Sequence, residues 1–233
     1  KDTPQKVLPT FAVIIGGGGA PMDKVGSFNP AMMVHGTQSI ELFGEIPPDG
    51  EIESVGEVTG IYDKGSAAVL EFTSESKDVN TGELLIRTQM SLFCRGEGGF
   101  GGDRGTTEKL QFPDSAPDHQ TVYKTRDDQA LTYRLSGDRN PLHSDPSFAA
   151  LGGFEKPILH GLCTYGFTGR ALLHALCDGD ASRFKLMAAK FSRPVIPGDE
   201  LTISMWVDGN TALFRTSDQN GDIVIDQGKF TFE

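Results

Sequence analysis

The sequence predicts an α+β fold in which antiparallel strands gather around a buried helix. From Ile158 to about Leu176 the residues are apolar almost all round, as a helix buried on every side must be. Beyond it the pattern changes to period-two alternation: Leu201, Ile203, Met205 and Val207, then Ile223 and Ile225, then Phe230 and Phe232. Asp208-Gly209-Asn210 and Gln219-Asn220-Gly221 supply hairpin turns between those runs. The same kinds of segment recur earlier, which suggests a duplicated unit.

The duplication is carried by short echoes. Pro48-Asp49-Gly50-Glu51 and Pro197-Gly198-Asp199-Glu200 each open a strand-like stretch, and Gly82-Glu83-Leu84-Leu85-Ile86 matches Gly221-Asp222-Ile223-Val224-Ile225. Each half carries a His-Gly pair in an apolar segment read as helical, His35-Gly36 and His160-Gly161. Between the halves, residues 96–120 are rich in Gly, Pro and charge and read as a surface linker. The expected division is therefore 1–95, a 96–120 linker, and 121–233. In the second half a helix is expected over Thr125 to Leu135, with Thr125 and Asp128 as a capping pattern and Gly137 as its stop. Asp145-Pro146 reads as the cap and first position of one short helical turn, ended by Gly152-Gly153.

Composition limits the partners. At 233 residues the chain buries a sizeable core as one large or two small domains. A net charge of −11 argues against a nucleic-acid or anionic-membrane binder, which needs a basic footprint. A small anionic ligand is still compatible, since a few local cations suffice. Cys94, Cys163 and Cys177 form an odd, unclustered set and read as free buried thiols in a reducing compartment. No apolar run approaches the roughly 20 residues of a membrane span. The first residues show no signal-like pattern, and the terminal TFE is not a peroxisomal SKL-type address.

The chemistry is concentrated in YRLSGDRNPLHSDPSFAALGGFEKPILHGLCTYG, Tyr133 to Gly166. Asp138, Asn140 and His143 put an acid, an amide and an imidazole within six residues. A carboxylate and an imidazole that share one water are what general acid–base catalysis requires. Gly161, near the start of the apolar helix, offers backbone N–H groups to a developing oxyanion. Blander readings exist. Asp138 also fits a loop brace, Asn140-Pro141 a turn, and a lone loop histidine is more often a satisfied hydrogen-bonder than a catalyst. Asp145 reads as a cap and His160 as a packing residue of the helix.

Other motifs fail on context. Gly96 to Gly101 fits G-x-G-x-x-G, but neither a helix nor a βαβ unit follows it. The nucleophile elbow G-x-S-x-G is missing, and Gly16 to Gly19 is a flexible run without a phosphate-loop Lys. Asp138, His143 and Asp145 carry ligating atoms, but without C-x-x-C, H-E-x-x-H or EF-hand spacing no metal site is expected.

GDRNPLHSDP followed by GFEKPILHGLC resembles the signature of (R)-specific enoyl-CoA hydratases, the hydratase 2 and MaoC-like group. The likeness continues in HGTQSIELFGEIPP, IYDKGSAAV, SLFCRGEGGFGG and RFKLMAAKFSRPVIPGD, and so covers nearly the whole chain. It is closest in kind to the two-domain form, whose members usually start with Met some tens of residues before the position matching Lys1. A trimmed chain is therefore expected. The resemblance implies a double hot-dog, two lobes each with a long central helix wrapped by an antiparallel sheet. It implies Asp138, Asn140, His143 and Gly161 as the catalytic set. It also implies substrate contacts at His35, Gly36, Lys64, Arg139, Pro141, Leu142 and Phe191, with Lys64 the natural partner of a CoA phosphate. The first lobe lacks D-x-N-x-x-H and is expected to accommodate the acyl tail rather than to catalyse.

The implied partners are enoyl-CoA and 3-hydroxyacyl-CoA thioesters, with no cofactor because CoA is part of the substrate. A homodimer in the cytoplasm is expected, or a peroxisomal location if the chain is part of a multifunctional enzyme. Competing readings are a carrier-protein dehydratase, a hot-dog thioesterase, and a non-catalytic acyl-CoA-binding subunit. The intact Asp138, Asn140 and His143 argue against the last.

Overall fold

Alternation of apolar and polar residues builds, among the described residues, nine strands that pair into a single antiparallel sheet in the computed structural model. The structure describes residues 4–19, 21–106 and 109–233; Lys1, the expected start of the first lobe, lies outside them. The first half supplies β1 (Met33–Leu42), β2 (Ile52–Asp63), β3 (Ala67–Asp78) and β4 (Leu84–Arg95). The second half supplies β5 (His119–Lys124), β6 (Phe184–Phe191), β7 (Glu200–Asp208), β8 (Thr211–Ser217) and β9 (Ile223–Phe232). The strand order is β2-β3-β4-β1-β6-β9-β8-β7-β5. The halves are thus joined edge to edge, by pairing of Thr37 with Lys190 through Glu41 with Leu186.

The second half wraps the predicted helix. Four helices are described: α1 (Ala12–Ile15), α2 (Gln129–Tyr133), α3 (Pro146–Leu151) and α4 (Gly161–Leu176). Tyr165, Leu172 and Leu173 of α4 are buried against Ile203, Phe214 and Phe230 of the sheet. Fully burying one such side chain stabilises the fold by about 1.5–3 kcal/mol. Tyr165 and Thr168 find partners here: Tyr165 donates to the Met187 carbonyl at 2.6 Å, and the Thr168 and Thr216 hydroxyls meet at 2.8 Å. Glycine is required at Gly169 of α4, where a Cβ would come within 2.2 Å of Thr10 Cγ2. That close approach seats the Pro9–Phe11 turn of the first half on α4.

Several expectations need correction. Among the described residues the first half has no long central helix, only four-residue α1 and single 3-10 turns. Pro9, Pro21, Pro30 and the glycines from Gly16 to Gly19 interrupt any longer helix. The His35-Gly36 segment, read as helical, is strand β1. Pairing of His35 with Leu92 on β4 fixes it, and a bulge falls between His35 and Thr37. A Cβ on Gly36 would lie 2.7 Å from Ser91 Oγ, so a larger residue in the bulge would have to move that hydroxyl. Helix α2 begins at Gln129, not Thr125, because the Thr125 hydroxyl instead donates to the Asp199 carbonyl and accepts from Gly198 N. Helix α4 begins at Gly161, not Ile158, because Leu159 N–H donates to the Val195 carbonyl at 2.7 Å and keeps that stretch extended. The region read as a linker contains no helix or strand among its described residues until β5 starts at His119. The three cysteines are free and buried. No helix of the described residues is long and apolar enough to cross a membrane.

Candidate active site

The acidic loop is held by its own short-range chemistry. Gly137 turns the chain with φ 117°, which ends the α2 segment and releases Asp138. The Asp138 carboxylate accepts from Asn140 N at 3.0 Å, and the Asn140 side chain accepts from Leu142 N at 3.0 Å. These two turns wind Pro141–His143 into a 3-10 turn that presents His143. Arg134 clamps the loop from outside, donating to the Arg139 carbonyl at 3.1 Å and to Ser144 Oγ at 3.2 Å. The Asp145 carboxylate caps α3 through Ser147 N and Phe148 N, as expected, and so faces its own helix.

The imidazoles are fixed from the other side. His143 Nδ1–H donates to the Ile158 carbonyl at 2.8 Å, which leaves Nε2 as the reactive nitrogen. His160 caps the start of α4, donating from Nε2 to the Asp138 carbonyl at 3.2 Å, and its ring stacks on His143 with centroids 3.8 Å apart. His160 is only 1% exposed, so burial, then the His143 charge, pushes its pKa down to about 4. Burial also lowers the pKa of His143, opposed by the Ile158 carbonyl and the Asp138 charge, so a neutral ring is favoured near pH 7. One ligating atom each of Asp138, His143 and His160 lie within 4.8 Å of one another, a spacing a metal ion could use. Asp145, grouped with Asp138 and His143 from the sequence, is committed to α3 instead.

Gly161 opens α4, ahead of the helix's first backbone bonds from Cys163 N and Thr164 N to the His160 carbonyl. N–H groups at this position have no acceptor inside their own helix and point out of its positive end. A Cβ on Gly161 would sit 3.3 Å from the Phe191 ring, so glycine leaves room beside that aromatic wall.

Asp138, Asn140, Leu142, His143, Gly161 and Phe191 line one cavity of about 350 Å³. Its far wall comes from the first half, where Met33, Val34 and His35 stand on β1. His35 packs edge-on against Phe191 at 4.9 Å and donates from Nε2 to the Thr37 carbonyl. Burial pushes the His35 pKa down to about 4. The remaining expected contacts lie elsewhere. Gly36 sits in the β1 bulge, while Arg139 and Pro141 take part through backbone carbonyls that hold the loop. Lys64 lies in the β2–β3 hairpin, where Nζ donates to the Arg104 carbonyl and lies 5.6 Å from the Tyr62 ring centre.

Sequence reading missed His160 as a member of the cluster formed with Asp138 and His143, and missed Arg95 and Arg193 on the cavity wall. The signal for His160 was its place directly before Gly161. Arg95, the last residue of β4, and Arg193, two residues beyond β6, left no local signal, because the pairing of those strands is long-range.

Comparison with known proteins agrees with this geometry. A model described as the MaoC like domain matches residues 108–228, and one described as the MFE-2 hydratase 2 N-terminal domain matches residues 1–96. The 3-hydroxyacyl-thioester dehydratase Y of Mycobacterium tuberculosis is 47% identical over 96% of this chain and 81% of its own length. A probable enoyl-CoA hydratase 2 of Dictyostelium discoideum is 43% identical over 86% of this chain and 70% of its own. The solved MaoC-like dehydratase of Phytophthora capsici superposes with a TM-score of 0.88 at 34% identity, covering 98% of this chain and 83% of that one. With the architecture of a double hot-dog and an acid, an imidazole and a helix start meeting in one cavity, the chain belongs to the MaoC-like dehydratase family of enzymes, in the form that carries a hydratase 2 N-terminal domain.

Proposed function

We propose that the protein hydrates trans-2-enoyl-CoA to (3R)-3-hydroxyacyl-CoA, and dehydrates it in reverse. The observation that carries this reading is the convergence of Asp138, His143 and Gly161 on one cavity. Support also comes from relatives named enoyl-CoA hydratase 2 and 3-hydroxyacyl-thioester dehydratase, which describe the two directions of one equilibrium. The thioester carbonyl accepts from the Gly161 N–H, where the helix start stabilises the negative charge that grows on oxygen as water adds. One water sits between Asp138 and His143 Nε2. Its oxygen bonds to C3, one of the pair takes its proton, and the other delivers a proton to C2, so the reaction closes without net gain or loss of protons. The two proton roles belong to Asp138 and His143 together. Asn140 keeps the loop in shape. No cofactor is needed, because a β-carbon conjugated to a thioester is already electrophilic. The first lobe contributes room for the acyl chain, and Lys64 attracts a CoA phosphate.

A carrier-protein thioester is the second reading, favoured by the word thioester rather than CoA in one relative's name. The test is to follow loss of enoyl absorbance on crotonyl-CoA and longer enoyl-CoAs, with chiral analysis of the product. Turnover to the 3R alcohol supports the proposal. Release of free thiol without hydration would mean a thioesterase, and a 3S product would mean the substrate lies the other way round.

A further inference from the structure

Leu162 occupies an unusual place. It is the second residue of α4, directly after Gly161, and is half-buried. Among the described residues it packs into none of the three apolar clusters that make up the core. Instead it lines three separate cavities: the catalytic one of about 350 Å³, a small one of about 90 Å³, and a large one of about 770 Å³. A leucine in the middle of a molecule ordinarily gives up its surface to close-packed neighbours. Here the side chain projects into space shared by three voids.

The large cavity is built to hold something apolar. Val13, Ile14, Ile46, Leu85, Ile86 and Phe167 line it, drawn from α1, the β1–β2 connection, β4 and α4. A void of that size and lining falls within the range of small-molecule sites and has room for a chain of many methylenes. Yet the catalytic residues Asp138, His143 and Gly161 do not line it. Among the described residues, Leu162 alone borders both this chamber and the catalytic cavity.

We infer that Leu162 is the partition that decides how far an acyl chain extends from the catalytic cavity into the large chamber, and so is a specificity-determining residue. The side chain sits one residue beyond the proposed oxyanion donor, where the chain leaving a bound thioester must turn. Pressed aside, it lets a long chain through. Enlarged, it closes the passage, and cut back, it merges the two spaces. The inference rests on the hydratase reading and deepens it.

The experiment compares kcat/KM on trans-2-decenoyl-CoA with that on crotonyl-CoA, as a ratio, for the parent enzyme, Leu162→Ala and Leu162→Phe. The ratio should fall about tenfold or more in Leu162→Phe and rise by a similar factor in Leu162→Ala, the range expected for reshaping an apolar pocket. Val13→Phe fills the chamber from a different wall and should also lower the ratio. It keeps the test open if the Leu162 variants do not fold. Ratios within about twofold of the parent in the folded variants would overturn the role of Leu162, given the discrimination an apolar pocket provides. A parent enzyme that hydrates neither thioester would overturn this inference and the hydratase reading together.

Discussion

The imidazole of His143 lies almost flat on that of His160, with ring centres 3.8 Å apart and planes inclined by 29°. Each ring spends one nitrogen on a backbone carbonyl, His143 on Ile158 and His160 on Asp138. Two stacked imidazoles cannot both be charged without strong repulsion, so a proton on one discourages a proton on the other. The charge that His143 would carry thereby helps hold the buried His160 neutral.

If Asp138 and His143 share the proton transfers, Asp138→Asn and His143→Ala should each lower turnover by about 10²–10⁴. Thermal stability should change little for Asp138→Asn, because the amide retains an oxygen for Asn140 N. Near-normal hydration by either variant would remove that residue from the mechanism.

The buried histidines set a pH limit on stability. His35 and His160 are pushed down to about 4, and His143 is also lowered, each chiefly by burial. In the unfolded chain these rings protonate near pH 6.5. Between about pH 6.5 and 4 the unfolded state therefore binds more protons, and stability falls as the pH drops through that window. The lowered carboxylates, such as Asp63 and Asp226, act only below their ordinary range, so the fall above about pH 4.5 belongs to the histidines. Melting temperatures taken from pH 7.5 to 4.5 should decline, and His160→Gln should flatten the slope. A flat profile in the parent protein would contradict the buried, neutral imidazoles.

Gly161→Ala tests the helix start. Its new methyl would press on the Phe191 ring at 3.3 Å and displace either that ring or the N–H beside it. A displacement well under 1 Å can cost on the order of tenfold in turnover. Trimming the ring in Gly161→Ala/Phe191→Leu should recover part of the loss. A fully active single variant would show that this position tolerates a side chain and that the glycine serves another purpose.

Lys64→Ala should mainly raise KM, since an ammonium–phosphate contact is shared by ground and transition states. The loss should be about 1–3 kcal/mol and should shrink at high salt. A collapsed kcat with unchanged KM would instead place Lys64 in the chemistry, away from its seat beside Arg104 and Tyr62.

Local chemistry made much of this molecule legible. Asp138, Asn140 and His143 could be read together because the turn that gathers them is built from their own side chains. The cap at Asp145 and the turns at Asp208-Gly209-Asn210 were legible for the same reason. What escaped is decided at a distance. Ile158-Leu159-His160 continues the apolar pattern of α4, yet Val195 holds it extended from more than thirty residues away. The segment around His35 has no strong local preference and becomes a strand through partners on β4 and β6. His160 looked like packing because its acceptor, the Asp138 carbonyl, lies 22 residues back.

The pairing of β1 with β6 has a consequence for any attempt to divide the molecule. Cutting between the halves would strip the Leu186–Lys190 side of β6 of its neighbour and leave a row of vacant N–H and C=O groups in the middle of a former sheet. The same cut removes Met33, Val34 and His35, leaving the catalytic hollow open on that side. A severed second half would be a sticky half-shell, prone to recruit another copy of itself along the raw edge. The two parts are therefore better regarded as one indivisible working unit than as a catalyst with a detachable accessory.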